Sequence, residues 1–242
     1  MALMHVNFFS NALGMCVACD VILPQKTAPE HGFKTLWLLH GMSDNHTIWG
    51  RRTSVERYVD KYDLAVVMPN GHLSSYANMA HGGKYFTYIA DELPKIMRGF
   101  FPLMGGAGCL KIGLARPENY AAIGSYSAGA YNRKPGAELS PRDAARRHML
   151  HDDRDLTGTE EDVFGSALRI VEAGGHCPRI YHACGDKDFL LERAHETRDF
   201  FQSFPGNPFG YVYDEDPGAH TWEFWDEHLK RFLGFLHDYA LI

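Results

Sequence analysis

The chain has 242 residues, with 24 basic and 30 acidic side chains and a formal charge of −6, a length that suits one domain of ordinary size. A composition of 45% hydrophobic and 13% aromatic residues excludes a disordered chain and implies a substantial core. Mild acidity without a cluster of Lys and Arg excludes a general nucleic-acid binder, whose phosphate contacts need a basic footprint.

The opening residues Met1 to Ser10 lack a basic segment, and His5, Asn7 and Ser10 break their apolar positions, so they read as neither signal peptide nor anchor. A strand is predicted over Met15–Leu23. It holds Cys16 and Cys19, which face opposite sides at that spacing and do not suit a shared metal. Next come a strand over Thr35–Leu39, a helix over Thr53–Lys61, a strand over Leu64–Met68, and helices over Thr87–Phe101 and Gly105–Ala115. A strand over Ala121–Ser125 leads into a charged stretch, Asn132–Asp162, read as a partly helical, lid-like excursion. Strands over Arg179–Ala183 and Gly210–Tyr213 flank a helix over Leu190–Ser203. In the last helix Trp222, Trp225, Leu229, Phe232, Leu233 and Leu236 share one face. Short apolar runs alternating with helical segments predict an α/β fold with a mostly parallel sheet and helices on both faces, as one domain over 1–242. The odd, scattered set of five Cys argues against a disulfide framework and for a cytoplasmic protein. No membrane partner is expected, and self-association into a homo-oligomer is left open.

Functional groups of a parallel sheet gather beyond the carboxyl ends of its strands. Three such ends stand out. In Leu39-His40-Gly41-Met42 a strand runs into a loop whose backbone N–H groups can approach a substrate oxygen, the alternative being a strand simply ended by a turn Gly. In Cys184-Gly185-Asp186-Lys187-Asp188 a carboxylate can orient an imidazole, with Asp186 a rival to Asp188 and helix capping the alternative role for Asp188. In Gly218-Ala219-His220 the loop leaves a His free to reach a substrate as a general base must, with a plain surface residue the alternative. His220 follows Asp188, as base follows acid along α/β-hydrolase chains. Among the His residues no pair has ligand spacing on one helix, so no metal site is expected. Tyr76, Tyr85 and Phe86 are read as packing under a loop rather than as a pocket wall.

Six stretches carry a family resemblance: Leu38-Leu39-His40-Gly41-Met42-Ser43-Asp44-Asn45-His46, Val66-Val67-Met68-Pro69-Asn70, Asp91-Glu92-Leu93-Pro94, Met104-Gly105-Gly106, Cys184-Gly185-Asp186-Lys187-Asp188-Phe189-Leu190 and Gly218-Ala219-His220-Thr221-Trp222-Glu223-Phe224-Trp225. Together they resemble the esterase branch of the α/β-hydrolases that contains tributyrin esterases and esterase D, nearest the tributyrin esterases. The resemblance implies a serine carboxylesterase acting on short-chain acyl esters, without cofactor, whose partner is a small ester substrate. It implies Asp188 as acid, His220 as base, and the backbone N–H groups of Met42 and Met104 as oxyanion donors. Esterase D relatives that act on S-formylglutathione carry a Cys-containing loop, which Met42 to His46 lacks.

The family nucleophile sits in Gly-x-Ser-Met-Gly-Gly, yet this chain reads Phe101-Pro102-Leu103-Met104-Gly105-Gly106. A strand and its turns need about 5 to 6 residues and more, and too few lie between the predicted helices. The central strand and nucleophile elbow are therefore expected to be missing. Ser125-Tyr126-Ser127-Ala128-Gly129 imitates the motif and makes Ser127 the lesser candidate nucleophile, because Gly is absent from its first place and no amphipathic helix follows. The alternative function is a catalytically inactive homologue that binds a small ester or carbohydrate.

Overall fold

The computed structural model describes residues 1–101, 103–107, 110–129 and 140–242, the stretch 103–107 by its backbone. Its strands are β1 (Ala2–Ser10), β2 (Met15–Leu23), β3 (Phe33–Trp37), β4 (Ala65–Pro69), β5 (Leu103–Ala107), β6 (Ala122–Tyr126), β7 (Arg179–Gly185) and β8 (Val212–Asp216). They pair in the order β1-β2-β4-β3-β5 and, separately, β6-β7-β8. β2 is antiparallel to β1 and to β4, and every other pair is parallel. β1 was not expected. Met4, Val6 and Phe8 alternate with exposed positions as a half-buried strand requires, but Leu3 and Phe9 among those exposed positions blur the period.

The helices are α1 (Ile48–Arg52), α2 (Val55–Val59), α3 (Leu93–Phe100), α4 (Leu110–Ala115), α5 (Pro141–His151), α6 (Val163–Glu172), α7 (Leu191–Gln202) and α8 (Trp222–Asp238). The fold is α/β as predicted, because β4 is buried on both faces. Ala65 and Val67 join Tyr88, Leu93 and Met97 on one side, while Val66 and Met68 join Ile22, Leu36 and Phe232 on the other. Around β6 and β7 a further cluster joins Ile123 and Ile180 to Leu114 of α4, Ala167 of α6 and Phe201 of α7. α6 was also unforeseen, although Val163, Ala167 and Ile170 recur at helical steps. Of the predicted excursion, 132–139 lies outside the described residues, and α5 accounts for the helical part. Cys16 is exposed and Cys19 buried, on opposite faces as their spacing demands. Among the described residues no helix is long and apolar enough to cross a membrane.

The segment before α4 corrects the sequence reading. Instead of entering a helix at Gly105, Leu103–Ala107 forms β5, parallel to β3, with Phe33 opposite Leu103, Thr35 opposite Gly106 and a register shift between them. An open edge on β3 offers unpaired N–H and C=O groups, and pairing satisfies them. A strand thus stands beside β3 where the sequence reading expected the central strand to be missing. Among the described residues no ladder joins β5 to β6, and the sheet stays in two pieces. α8 bridges them, since Phe232, Leu233 and Leu236 pack in one cluster with Val66 and Met68 of β4 and with Ala122, Tyr181 and Ala183 of β6 and β7.

Candidate active site

Asp188 follows β7, and His220 lies between β8 and α8. The His220 Nδ1 stands 3.0 and 3.1 Å from the two Asp188 carboxylate oxygens. The carboxylate is wholly buried while the imidazole keeps 32% of its side-chain surface exposed. Asp188 also accepts the Leu190 N–H at 2.9 Å, ahead of α7. Helix capping and imidazole orientation thus fall to the same side chain. With Nδ1–H donating to Asp188, the neutral ring holds its lone pair on Nε2, which no described residue engages. Phe189 and Trp225 flank the ring at centroid distances of 4.5 and 4.9 Å. They restrict its rotation and shield one side from water.

Asp186, the rival carboxylate, is used elsewhere: its Oδ1 accepts the Gly218 N–H at 2.9 Å. Gly218 in turn accepts the Lys187 N–H at 2.8 Å, and the Asp186 N–H reaches the Asp216 carbonyl at 2.9 Å. These bonds bind the acid-bearing loop to the base-bearing loop. The approach requires Gly185, since a Cβ there would lie 2.4 Å from the Gly218 carbonyl oxygen. Gly185→Ala should therefore destabilise the fold by about 1–3 kcal/mol through overpacking against backbone. Urea unfolding measures this, and a midpoint equal to that of the wild type would show that the loops are not locked this way.

His40 fixes the loop after β3. Its Nδ1–H donates to the Gly41 carbonyl at 2.7 Å and its Nε2 accepts the Gly71 N–H at 2.8 Å. Burial lowers its pKa, so the ring bridges as the neutral form. The Tyr76 hydroxyl donates to the His40 carbonyl at 2.7 Å. Met42 follows in an exposed turn, and no described residue accepts its backbone N–H. Tyr85 and Phe86 are core residues, and Tyr76 is half-buried against the loop, consistent with packing.

Met104 is not placed as expected. It lies within β5, three residues ahead of the carboxyl end of that strand, because the strand starts at Leu103. An oxyanion donor is needed just beyond a strand end, so Met104 does not occupy that position. Ser127 lies directly after β6 with φ of 48°, a left-handed conformation of the kind found at strained turns. Its hydroxyl is buried and accepts the Trp225 indole N–H at 2.9 Å, and its own N–H donates to Ala183 at 2.8 Å. No hydrogen bond links it to His220. Sequence reasoning missed His182, whose Nε2 reaches the Ala128 carbonyl and whose Nδ1 meets the Tyr211 hydroxyl, both at 2.7 Å. It braces the segment after β6, and a buried strand position gave no outward sign of that role.

A buried acid after one strand and an imidazole before the final helix, on a mostly parallel sheet, are the arrangement of an α/β-hydrolase. The model of the family described as putative esterase matches residues 10–236. An acetyl esterase from Caldicellulosiruptor saccharolyticus is 30% identical, with 96% of each chain covered. Among solved structures, the Staphylococcus aureus fluorophosphonate-binding serine hydrolase FphF has a TM-score of 0.82 at 28% identity, covering 97% of this chain and 98% of its own. The S-formylglutathione hydrolase of Staphylococcus aureus has a TM-score of 0.79 at 29% identity, with the same coverage. The chain belongs to the putative esterase family, a family of carboxylic ester hydrolases.

Proposed function

We propose that this chain carries the base and acid of a Ser-His-Asp hydrolase for short-chain acyl esters, His220 and Asp188, and lacks the serine that completes it. The observation carrying this reading is the paired 3.0 and 3.1 Å contact of the His220 Nδ1 with a fully buried carboxylate. In that chemistry the His220 Nε2 takes the proton of the attacking hydroxyl and returns it to the leaving alcohol. Asp188 holds the ring in the correct tautomer and stabilises the imidazolium. The Met42 N–H serves as one oxyanion donor.

A missing nucleophile segment is supported by two observations. β5 reads Leu-Met-Gly-Gly-Ala, with no hydroxyl side chain. The alignment with the acetyl esterase runs over 259 positions, more than the 242 residues of this chain, so the relative has residues without counterparts here. The same observations favour a second reading, that the chain as it stands binds a small ester or carbohydrate without turning it over. Residual hydrolysis does not separate the two, because losing one triad member typically leaves ~10³ to 10⁴-fold catalysis over water.

Covalent labelling does separate them from an active serine enzyme. A fluorophosphonate probe should leave this chain unlabelled. A variant with a strand and a Gly-x-Ser turn inserted ahead of Met104 should label, and His220→Ala in that background should abolish the labelling. Labelling of Ser127 in the unaltered chain, or an inserted serine indifferent to His220, would overturn the reading.

A further inference from the structure

A second cluster of chemical groups lies at the end of α5. The Ala80 N–H donates to the Leu150 carbonyl at 2.9 Å and the His81 N–H to the Met149 carbonyl at 3.1 Å. These bonds use last-turn carbonyls of α5 and set the loop around 80 against the end of that helix. His81 Nε2 then lies 3.4 Å from one Asp152 oxygen, and His148 Nδ1 lies 2.9 Å from the other. The two imidazole centroids are 4.6 Å apart. One ligand atom from each of the three residues lies within 4.8 Å of the others.

Asp152 adds an independent observation. It caps α5 with φ of 54° and ψ of −137°, a region that glycine occupies freely and an L-residue occupies under strain. Its N–H donates to the carbonyls of Arg147 and His148, both at 3.1 Å, so the backbone alone would be served better by Gly. What Asp adds is a carboxylate between two imidazoles.

We propose that His81, His148 and Asp152 form a binding site for a divalent transition-metal ion of the zinc class. Two imidazole nitrogens and one carboxylate oxygen are the donor set of an open zinc site, with water in the fourth position. Calcium and magnesium prefer all-oxygen sets. Ligand atoms around tetrahedral zinc lie roughly 3.3 Å apart, given bonds of about 2.0 Å, so small side-chain rotations close the observed spacing. The side chains of His81, His148 and Asp152 are 54%, 67% and 42% exposed, so an ion enters without any opening of the fold. Bound there, it ties the end of α5 to the loop around 80.

The spacing along the chain hid this site. His148 and Asp152 are four apart, but the second imidazole comes from 67 positions earlier, in another loop.

The test is titration of the full chain with Zn²⁺ by calorimetry, followed by thermal unfolding with and without the ion. One equivalent should saturate, and Tm should rise. Since outer-shell changes alone typically weaken metal binding 10- to 100-fold, H81A and H148A should each weaken it at least about tenfold. Asp152→Gly suits the backbone, so this variant should fold as well as the wild type and lose the Zn²⁺-dependent rise in Tm. His195→Ala, at a separate surface pair, should keep it. Absence of saturable binding, or a D152G chain whose Tm still responds to Zn²⁺, overturns the proposal.

Discussion

Phe232→Ala should lower the unfolding free energy by about 3–5 kcal/mol, the usual result of emptying a phenylalanine site in a core. The expected fall in Tm is roughly 6–20 °C. Phe232 is 1% exposed, and its ring lies 6.4, 6.0 and 6.1 Å from those of Tyr126, Tyr181 and Phe235. A Cβ on Gly124 of β6 would come within 3.1 Å of that ring, so the strand and helix meet with no space to collapse into. The effect matters beyond the lost area. β5 and β6 share no ladder among the described residues, and α8 is packed on both parts of the sheet. Loosening α8 should also uncouple the two parts, seen as a lower urea m-value or a second transition. His220 lies just ahead of α8, so the base shifts with the helix. An F232A chain with an unchanged midpoint would show that α8 does not hold the sheet together.

Acid should destabilise the protein between about pH 6.5 and about pH 4, and His182 should account for much of the loss. Burial lowers the His182 pKa from 6.5 to about 4, outweighing the opposing effect of its Nε2–H bond to the Ala128 carbonyl, while its Nδ1 accepts from Tyr211. Between those two values the unfolded chain binds the proton and the folded chain does not, so unfolding stability rises with pH. His182 thus contributes stability in full above about 6.5, and that contribution is lost as pH falls toward 4. The span corresponds to about 3 kcal/mol. Burial lowers the pKa of His40 and His228 as well, which adds in the same direction. His182→Gln removes the titration and should flatten the stability profile over this interval, as measured by urea midpoints at pH 7, 6, 5 and 4. Parallel profiles for the two proteins would show that His182 is not the group responsible.

The strands that read most plainly were those buried on both sides. β2 spans Met15–Leu23 as expected, and β4 and β7 lie within a residue or two of their predicted limits. Burial on both faces turns such strands into continuous apolar runs, which a sequence displays directly. α8 was equally legible from its one-sided stripe. β1 and α6 were not, since their apolar positions are interrupted by exposed Leu3 and Phe9 or are few in number. β5 ran against local preference. A Gly-Gly pair and a preceding proline argue against a strand, and only the open edge of β3 draws the segment into one.

Residue order along the chain was enough to nominate His220 with Asp188, because a strand end, a carboxylate loop and a late imidazole are local signals. It also exposed the absence of the Gly-x-Ser-Met-Gly-Gly elbow motif. Folding decided what depended on distant neighbours: which of Asp186 and Asp188 faces the imidazole, where Met104 falls, and what occupies the Ser127 hydroxyl. Asp186 and Asp188 are two residues apart and chemically identical, so only the Gly185–Gly218 approach distinguishes them. The pairing of His81 with His148 and Asp152 likewise arises from backbone hydrogen bonds between segments far apart in sequence. Contacts of that kind have no local period or motif, so they exist only once the chain has closed on itself.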